Sequence, residues 1–192
     1  MWIGITGPAQ SGKDTVYSIL KEVFGDKCQR FSFADKLKYS VASLFDISRE
    51  VVDYLKISQD LCVDIKAYPR GIPPVHRLMT MREILQRYGT EAHRNIFGKD
   101  FWVEQLFKDV EDDKNMLFVI TDVRFDNEAK AIKDRKGFII RLTRNGTGNM
   151  KHASEVPIAM DLVNVVINND GSIEDLKNNI LNVVKNNWIS CE

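Results

Sequence analysis

A short glycine-containing loop near the start of the chain constrains the fold more than any other feature of the sequence. Residues 7–15 read GPAQSGKDT, in which Gly7 and Gly12 have the spacing of the phosphate-binding pattern G-x-x-x-x-G-K. The apolar run WIGIT at residues 2–6 precedes the loop, and residues 13–24 place their apolar positions on one helical stripe. A strand, a glycine loop and a helix in this order predict an α/β domain with a nucleotide site.

The residue types of this loop suit the chemistry of a triphosphate. Backbone N–H groups in a glycine-rich turn, together with the N-terminus of the following helix, attract phosphate oxygens, and a lysine can reach the β and γ oxygens. We therefore predict that the phosphates of a nucleoside triphosphate are bound by Gly7, Gln10, Ser11, Gly12, Lys13, Asp14 and Thr15. Asp14 stands where such loops usually carry a hydroxyl, which here moves to Thr15. Asp14 is predicted to face the water shell of a magnesium ion or an arginine.

Apolar, β-rich runs alternate with amphipathic helical patterns along the rest of the chain. This alternation is typical of right-handed β-α-β units and favours a three-layer α/β/α fold with a five-stranded parallel sheet. Strands are predicted at residues 2–6, 29–33, 116–121, 137–143 and 162–168. Helices are predicted at residues 13–24, 35–44, 81–94, 101–110 and 125–135, and after Gly171, where Ser172 and Asp175 form a capping box.

Two segments interrupt the alternation. Residues 57–80 contain PRGIPP and no sustained period, so we predict a long loop there. Residues 144–157 are polar and glycine-rich between two strands, which is typical of a mobile lid. The alternative is that both segments are surface loops without a function. At 192 residues the chain is predicted to be one domain that carries these segments as insertions.

The composition excludes several classes of protein. Lys plus Arg equals Asp plus Glu at 27 each, so no net charge attracts nucleic acid or an anionic membrane. No apolar stretch approaches the ~18 residues of a membrane span, and the first residues lack the pattern of a secretion signal. The three cysteines are widely spaced, which fits a reducing compartment. We expect a cytoplasmic protein (in the host cytoplasm if the chain is viral) that binds neither nucleic acid nor membrane. The choice between monomer and homodimer stays open.

Charged side chains follow the later predicted strands. Asp122 ends one of them, at the edge where open α/β sheets bind ligands, and we predict that it organises magnesium and its waters. A helix N-cap is the alternative role for this carboxylate. Arg124 is predicted to contact a phosphoryl group. Because residues three apart on an extended chain face opposite ways, only one of Arg141 and Arg144 should reach the phosphates, and we favour Arg144.

Five blocks of sequence stand in a recognisable order. They are GPAQSGKDT (7–15), FSFADKLK (31–38), LQRYGTEAHRNIFGKDFW (85–102), ITDVRFDNEA (120–129) and HASE (152–155). Together they resemble the bacteriophage-type deoxynucleoside monophosphate kinase family. The resemblance implies transfer of the ATP γ-phosphoryl group to a deoxynucleoside 5′-monophosphate with Mg²⁺ as the cofactor. It also implies a nucleoside-monophosphate-kinase-like fold, with a helical acceptor-binding insertion at about residues 35–110 and a lid at about residues 144–157.

Several residues within or beside these blocks are candidates for binding the acceptor. Arg94 is favoured for the acceptor phosphate, whereas Arg82 has pairing with a surface carboxylate as its alternative. Gln86 offers an amide suited to a base edge. Trp102 can stack on a base, although an aromatic residue at helical spacing is more often part of the core.

The remaining acceptor candidates also have structural alternatives. Asp35 can hold the deoxyribose 3′-OH or an acceptor-side arginine, or it can cap the following helix. Glu128 matches the family pattern but is also placed to begin a helix. His152 and Glu155 lie in the predicted lid, where His152 either closes the lid by hydrogen bonding or is a surface histidine.

Two other functions compete with this interpretation. A related P-loop kinase acting on phosphomevalonate or dephospho-coenzyme A would share the same core. A nucleotide-dependent switch or ATPase acting on a protein partner is less favoured, because the sequence lacks an NKxD-like guanine element. The blocks LQRYGTE and HASE favour the deoxynucleotide acceptor, so ATP and a deoxynucleoside monophosphate are the expected partners.

Overall fold

The computed structural model describes residues 1–58, 62–67, 75–108, 110–146 and 156–188. In chain order the strands are β1 (Trp2–Thr6), β2 (Cys28–Phe31), β3 (Cys62–Ala67), β4 (Val75–Thr80), β5 (Leu117–Ile120), β6 (Phe138–Thr143) and β7 (Val165–Asn168). The α-helices are α1 (Lys13–Phe24), α2 (Ala34–Leu44), α3 (Arg49–Ile57), α4 (Met81–Gly89), α5 (Asn95–Phe97), α6 (Phe101–Phe107), α7 (Asp126–Asp134) and α8 (Ile173–Trp188). A π-helical turn, Thr90–Arg94, follows α4.

The chain divides into two compact units. The first comprises Met1–Phe33 and Val103–Glu192, and the second comprises Ala34–Trp102. The second unit corresponds to most of the insertion expected at about residues 35–110, but it ends at Trp102. Val103 and Leu106 belong to a core cluster of the first unit, because their buried side chains pack with residues of its sheet.

The first unit is built on a five-stranded parallel sheet with the order β2-β5-β1-β6-β7. Successive side chains of a strand point to opposite faces of a sheet, and two buried clusters reflect this. Leu117 and Val119 join one cluster with helices α1 and α8, whereas Phe118 and Ile120 join the other with helices α6 and α7. Helices therefore cover both faces, which confirms the three-layer α/β/α fold.

The topology brings the candidate residues of the first unit to one edge of its sheet. Strand β1 lies between β5 and β6 and is parallel to both, so the segments that follow these strands leave from the same edge. These segments contain the glycine loop, Asp122 and Arg144. From β1 the chain continues to β2 at one end of the strand order, and from β6 it continues to β7 at the other end. Open α/β sheets bind ligands at such a switch point.

Most predicted elements of the first unit are confirmed with small shifts of their ends. The strand at 2–6 and the helix at 13–24 have the predicted bounds, whereas the last strand begins at Val165 because Met160–Leu162 forms a 3₁₀ turn. Ser172 caps α8 as predicted: its hydroxyl accepts from Asp175 N at 3.1 Å, and the carboxylate of Asp175 accepts from Ser172 N at 2.9 Å. None of the helices in the described parts of the chain is long and apolar enough to span a membrane.

The second unit corrects the prediction of a long loop at residues 57–80. The described part of this segment contains β3 and β4, which pair antiparallel from Cys62 opposite Thr80 to Ala67 opposite Val75. The alternation of apolar and polar residues in CVDIKA is the strand signal that the proline-rich neighbouring segment obscured. Thr80 then caps α4 in a capping box with Glu83. Helix α3, which we did not predict, begins after Ser48, whose hydroxyl accepts from Val51 N.

Helix lengths in the second unit also differ from the predictions. The helix expected at 81–94 is α-helical only to Gly89 and continues as the π-helical turn. The helix expected at 101–110 ends at Phe107. The core of this unit is a separate cluster of buried side chains from α2, α3 and α4, namely Val41, Ala42, Val52, Met81, Ile84 and Leu85.

Candidate active site

The glycine loop between β1 and α1 requires its glycines. Gly7 has φ 148°, and a Cβ atom built there would lie 2.5 Å from the carbonyl oxygen of Leu142. Gly12 has φ 100°, and a Cβ atom would lie 2.4 Å from Asn169 Nδ2. Gln10 is also left-handed, with φ 64°. Both glycines thus combine a left-handed conformation with a close approach, and this backbone curls at the N-terminus of α1 as an anion site requires.

Lys13 is the half-buried cation of the loop. Its Nζ donates to the carbonyl oxygens of Gly7, at 2.9 Å, and Pro8, at 2.5 Å. Burial, and secondarily the charge of Arg124, lower the pKa of Lys13 to about 8, although the charges of Asp14 and Asp122 act in the opposite direction. The ammonium group is therefore short of anionic partners, and a phosphate group would supply them. The side chain of Asp14 itself is exposed.

Asp122 is fixed at the end of β5 by the segment that follows β2. Its Oδ2 accepts from Ser32 Oγ at 2.7 Å, and its Oδ1 accepts from Phe33 N at 2.9 Å. Helix α7 begins only at Asp126, so the alternative role of Asp122 as a helix N-cap is wrong. The carboxylate is half-buried.

Glu128 supports the backbone that carries Arg124. Its Oε2 accepts from Arg124 N at 2.7 Å and from Phe125 N at 3.1 Å, and the residue is only 1% exposed. The predicted contact of Glu128 with the acceptor is therefore corrected, because this carboxylate already bonds the backbone at the start of α7 and is almost inaccessible to solvent. The structure supports the alternative that Glu128 begins the helix and orients its neighbours.

A cavity of about 220 Å³ lies beside the loop within the first unit. Its lining includes Gly12 and Thr15 from the loop and α1, Arg144 after β6, and Asn169 after β7. Arg141 faces elsewhere, because its guanidinium donates to the carbonyl oxygen of Ile158. Arg144, and not Arg141, therefore lines the cavity beside the phosphate loop.

The acceptor candidates Asp35 and Trp102 lie in the second unit. Asp35 belongs to the first turn of α2, and its Oδ1 accepts from Arg49 Nη2 at 3.0 Å. Trp102 is 5% exposed, and its Nε1 donates to the carbonyl oxygen of Gly89 at 2.9 Å. The prediction that Trp102 stacks on a base is therefore corrected in favour of its core alternative, because its ring is buried and its N–H is already paired.

The other acceptor candidates lie on α4, in the turn that follows it, or outside the described residues. Gln86 and Arg82 are half-buried on α4, and Arg94 ends the π-helical turn, where its Nη1 donates to the carbonyl oxygen of Lys99 at 2.8 Å. His152 and Glu155 lie outside the described residues.

Comparisons with known proteins test the resemblance. The family model for deoxynucleotide monophosphate kinase matches residues 70–180, more than half of the 192-residue chain. A putative deoxynucleotide monophosphate kinase of Acanthamoeba polyphaga mimivirus is 32% identical over 193 aligned residues, which cover 96% of this chain and 96% of the relative. The chain belongs to the deoxynucleotide monophosphate kinase family. The resemblance that the five sequence blocks predicted is thereby confirmed.

A relative from a bacteriophage matches a smaller part of the chain. The deoxynucleotide monophosphate kinase of Escherichia phage RB69 is 27% identical over 130 residues, which cover 64% of this chain and 53% of the relative. Among solved structures, shikimate kinase from Aquifex aeolicus vf5 aligns over 98% of this chain and 99% of its own, at 12% identity and a TM-score of 0.49.

Sequence reasoning about this deoxynucleotide monophosphate kinase family member missed two side chains that shape the site. Ser32 holds Asp122, and Asn169 donates to the carbonyl oxygen of Ser11 at 2.9 Å. Ser32 lies inside the FSFADKLK block and could have been singled out from it. Asn169 had no local signal, because its partner is far away in sequence and only the sheet order brings the two together.

Proposed function

We propose that the chain transfers the γ-phosphoryl group of ATP to a deoxynucleoside 5′-monophosphate, giving ADP and the deoxynucleoside diphosphate. Membership of the deoxynucleotide monophosphate kinase family supports the acceptor class and disfavours phosphomevalonate, dephospho-coenzyme A and a protein partner. The single observation that carries the donor assignment is the curled glycine loop with the half-buried Lys13, whose pKa burial lowers to about 8.

The residues divide between donor and acceptor in this proposal. Lys13 neutralises the β- and γ-phosphates, while Arg124 and Arg144 stabilise charge on the transferred group. Gly12 and Thr15 bring the phosphate chain to the cavity, which would receive the nucleoside part of the donor. Contacts with the acceptor are assigned to Asp35, Gln86 and Arg94, with Arg82, His152 and Glu155 as further candidates.

Magnesium is the proposed cofactor, and the residues present fit it. The described residues contain no group of three His, Cys, Asp or Glu side chains that could hold a metal. Mg²⁺ in kinases usually keeps several waters and binds through one or two carboxylates plus substrate phosphates, so a single fixed carboxylate is the expected donor set. Asp122 is that carboxylate, with the Thr15 hydroxyl and, through water, Asp14 as further oxygen donors. Bound Mg²⁺ would neutralise charge on the phosphate oxygens.

No residue needs to act as a strong base in this mechanism. The acceptor phosphate is already anionic near neutral pH, so its oxygen attacks the γ-phosphorus while the bond to the bridging oxygen of ADP breaks. Such a transition state is loose, and most of the rate comes from position and charge neutralisation. The chain's contribution is therefore to align the two nucleotides and to exclude water.

The test of the proposed function is a panel of deoxynucleoside and ribonucleoside monophosphates, assayed for ADP formation with Mg·ATP. At least one deoxynucleoside monophosphate should be converted, and phosphorus NMR should identify the diphosphate. Reactions without an acceptor measure the background hydrolysis of ATP. No ADP above this background with any common deoxynucleoside monophosphate would contradict the proposal.

The lowered pKa of Lys13 predicts that nucleotide binding takes up a proton at alkaline pH. In the free protein Lys13 loses its proton above a pKa of about 8, whereas phosphate anions favour the charged amine and raise this pKa. Binding of ADP should therefore take up about one proton at about pH 9 and about none at about pH 7. Affinity should fall as the pH rises through about 8.

Calorimetry in buffers of different ionisation enthalpy measures this uptake. The Lys13→Met variant provides the control, because it has no amine to titrate and should bind with little proton uptake at either pH. Equal uptake at both pH values in the unsubstituted protein would contradict the assignment of Lys13 to the phosphates.

A further inference from the structure

The turn after β7 makes a side-chain contact with the glycine loop. Asn169 Nδ2 donates to the carbonyl oxygen of Ser11 at 2.9 Å, and its own N–H donates to the carbonyl oxygen of Thr143 at 2.8 Å. Asn169 is therefore anchored to the end of β6 through its backbone while its side chain reaches the loop. The contact is close, because a Cβ atom on Gly12 would lie 2.4 Å from Asn169 Nδ2.

This hydrogen bond fixes the direction of one N–H group of the loop. The carbonyl of Ser11 and the N–H of Gly12 belong to the same planar peptide, and the described chain has no cis peptide bond. In a trans peptide the C=O and N–H bonds point in opposite directions, so Asn169 holds the Gly12 N–H away from itself. Gly12 immediately precedes Lys13, at the start of α1, where N–H groups attract phosphate.

Asp170, the next residue of the same turn, binds the segment that carries Arg144. The Asp170 carboxylate accepts from the backbone N of Asn145 and from Asn145 Nδ2, both at 2.7 Å. Asn145 directly follows Arg144, which lines the cavity together with Gly12 and Asn169. Asn169 and Asp170 thus attach the glycine loop and the Arg144 segment to one turn.

We propose that Asn169 is a positioning residue for the donor nucleotide, because it sets the Ser11–Gly12 peptide so that its N–H faces the phosphates. The inference rests on the proposed function for the identity of the donor. It assigns to Asn169 an effect on phosphate affinity that does not depend on contact with the base. Loss of this hydrogen bond should weaken phosphate binding about 3- to 10-fold.

The test compares Asn169→Ala with a matched control, Asn164→Ala. Asn164 flanks the other end of β7, and its Oδ1 likewise bonds a backbone group, accepting from Ile139 N at 2.9 Å. Calorimetry on the free protein would measure the affinities for ADP and for inorganic tripolyphosphate, which has no base. Steady-state kinetics would measure KM for ATP and for the deoxynucleoside monophosphate.

Asn169→Ala should weaken ADP and tripolyphosphate binding by similar factors and raise KM for ATP, with KM for the acceptor changed less than about twofold. Asn164→Ala should lower the thermal midpoint without changing either affinity. Asn169→Leu, which keeps the approximate shape of the side chain, serves if the alanine variant does not fold. Unchanged tripolyphosphate affinity in the Asn169 variants, or no tripolyphosphate binding by the unsubstituted protein, would overturn the inference. Because these binding measurements need no acceptor, their failure is distinct from failure of the proposed kinase reaction.

Discussion

Lys13→Met should reduce kcat by about 10³-fold, since a fixed charge on the transferred phosphoryl group supplies several kcal/mol of transition-state stabilisation. Methionine keeps an unbranched side chain of similar length but has neither charge nor N–H donors. The Nζ of Lys13 lies within hydrogen-bond distance of two loop carbonyls, so its loss removes the cation from the centre of the loop. Steady-state phosphorylation of the best acceptor from the panel measures the effect.

Stability should not account for the loss of activity in Lys13→Met. The lowered pKa of Lys13 means that the folded state disfavours its charged form at pH values below about 8. The free energy of unfolding at neutral pH should therefore not fall when the charge is removed. Lys21→Met is the matched control on α1. Lys21 pairs with the exposed Asp26 at 3.4 Å, so this substitution should leave kcat nearly unchanged. Full activity of Lys13→Met, or its unfolding, would contradict this account.

Asp122→Asn should reduce kcat by about 10²-fold and raise the Mg²⁺ concentration needed for half-maximal rate. Asparagine has the same shape and retains an oxygen that can accept from Phe33 N, which binds Asp122 at 2.9 Å. The new amide can donate to Ser32 Oγ, because a hydroxyl both donates and accepts. The substitution therefore removes the negative charge while the local hydrogen bonds keep partners.

A magnesium titration of the Asp122→Asn rate separates loss of metal from loss of fold. Asp126→Asn is the control, since Asp126 is exposed at the start of α7 and its Oδ1 accepts from Ala159 N at 2.9 Å. It should leave the magnesium dependence unchanged. An Asp122→Asn titration that superimposes on that of the unsubstituted protein would remove Asp122 from the metal.

Prediction of the fold succeeded where neighbouring residues alone determine the secondary structure. The run WIGIT and the stripe over residues 13–24 gave the bounds of β1 and α1, because period and turn chemistry are local. Prediction failed for β3 and β4, because proline and glycine in the connecting segment outweighed the alternation in CVDIKA. The predicted helix that begins at Met81 was also too long, because no sequence signal marks the change from α-helix to the π-helical turn.

Prediction of the site depended on the same distinction. Lys13 was singled out by the glycine–lysine pattern of the loop, and Asp122 and Arg144 because each follows a strand, since strands of a parallel sheet end at a common edge. For Glu128 and Trp102 the structure favours the structural alternatives over contact with the acceptor, because a family pattern does not reveal whether a side chain already bonds a neighbouring backbone group. Glu128 bonds the backbone at the start of α7, and Trp102 bonds Gly89.

The sequence by itself determined the α/β class, the phosphate loop and the family, because glycine spacing, hydrophobic period and ordered motifs are properties of neighbouring residues. Only the tertiary structure decided which charged and amide groups serve the loop. Asn169 meets Ser11 across 158 positions of sequence, and Asp122 meets Ser32 across 90. Such pairs depend on the strand order β2-β5-β1-β6-β7, because only the folded sheet brings residues so far apart in sequence into contact.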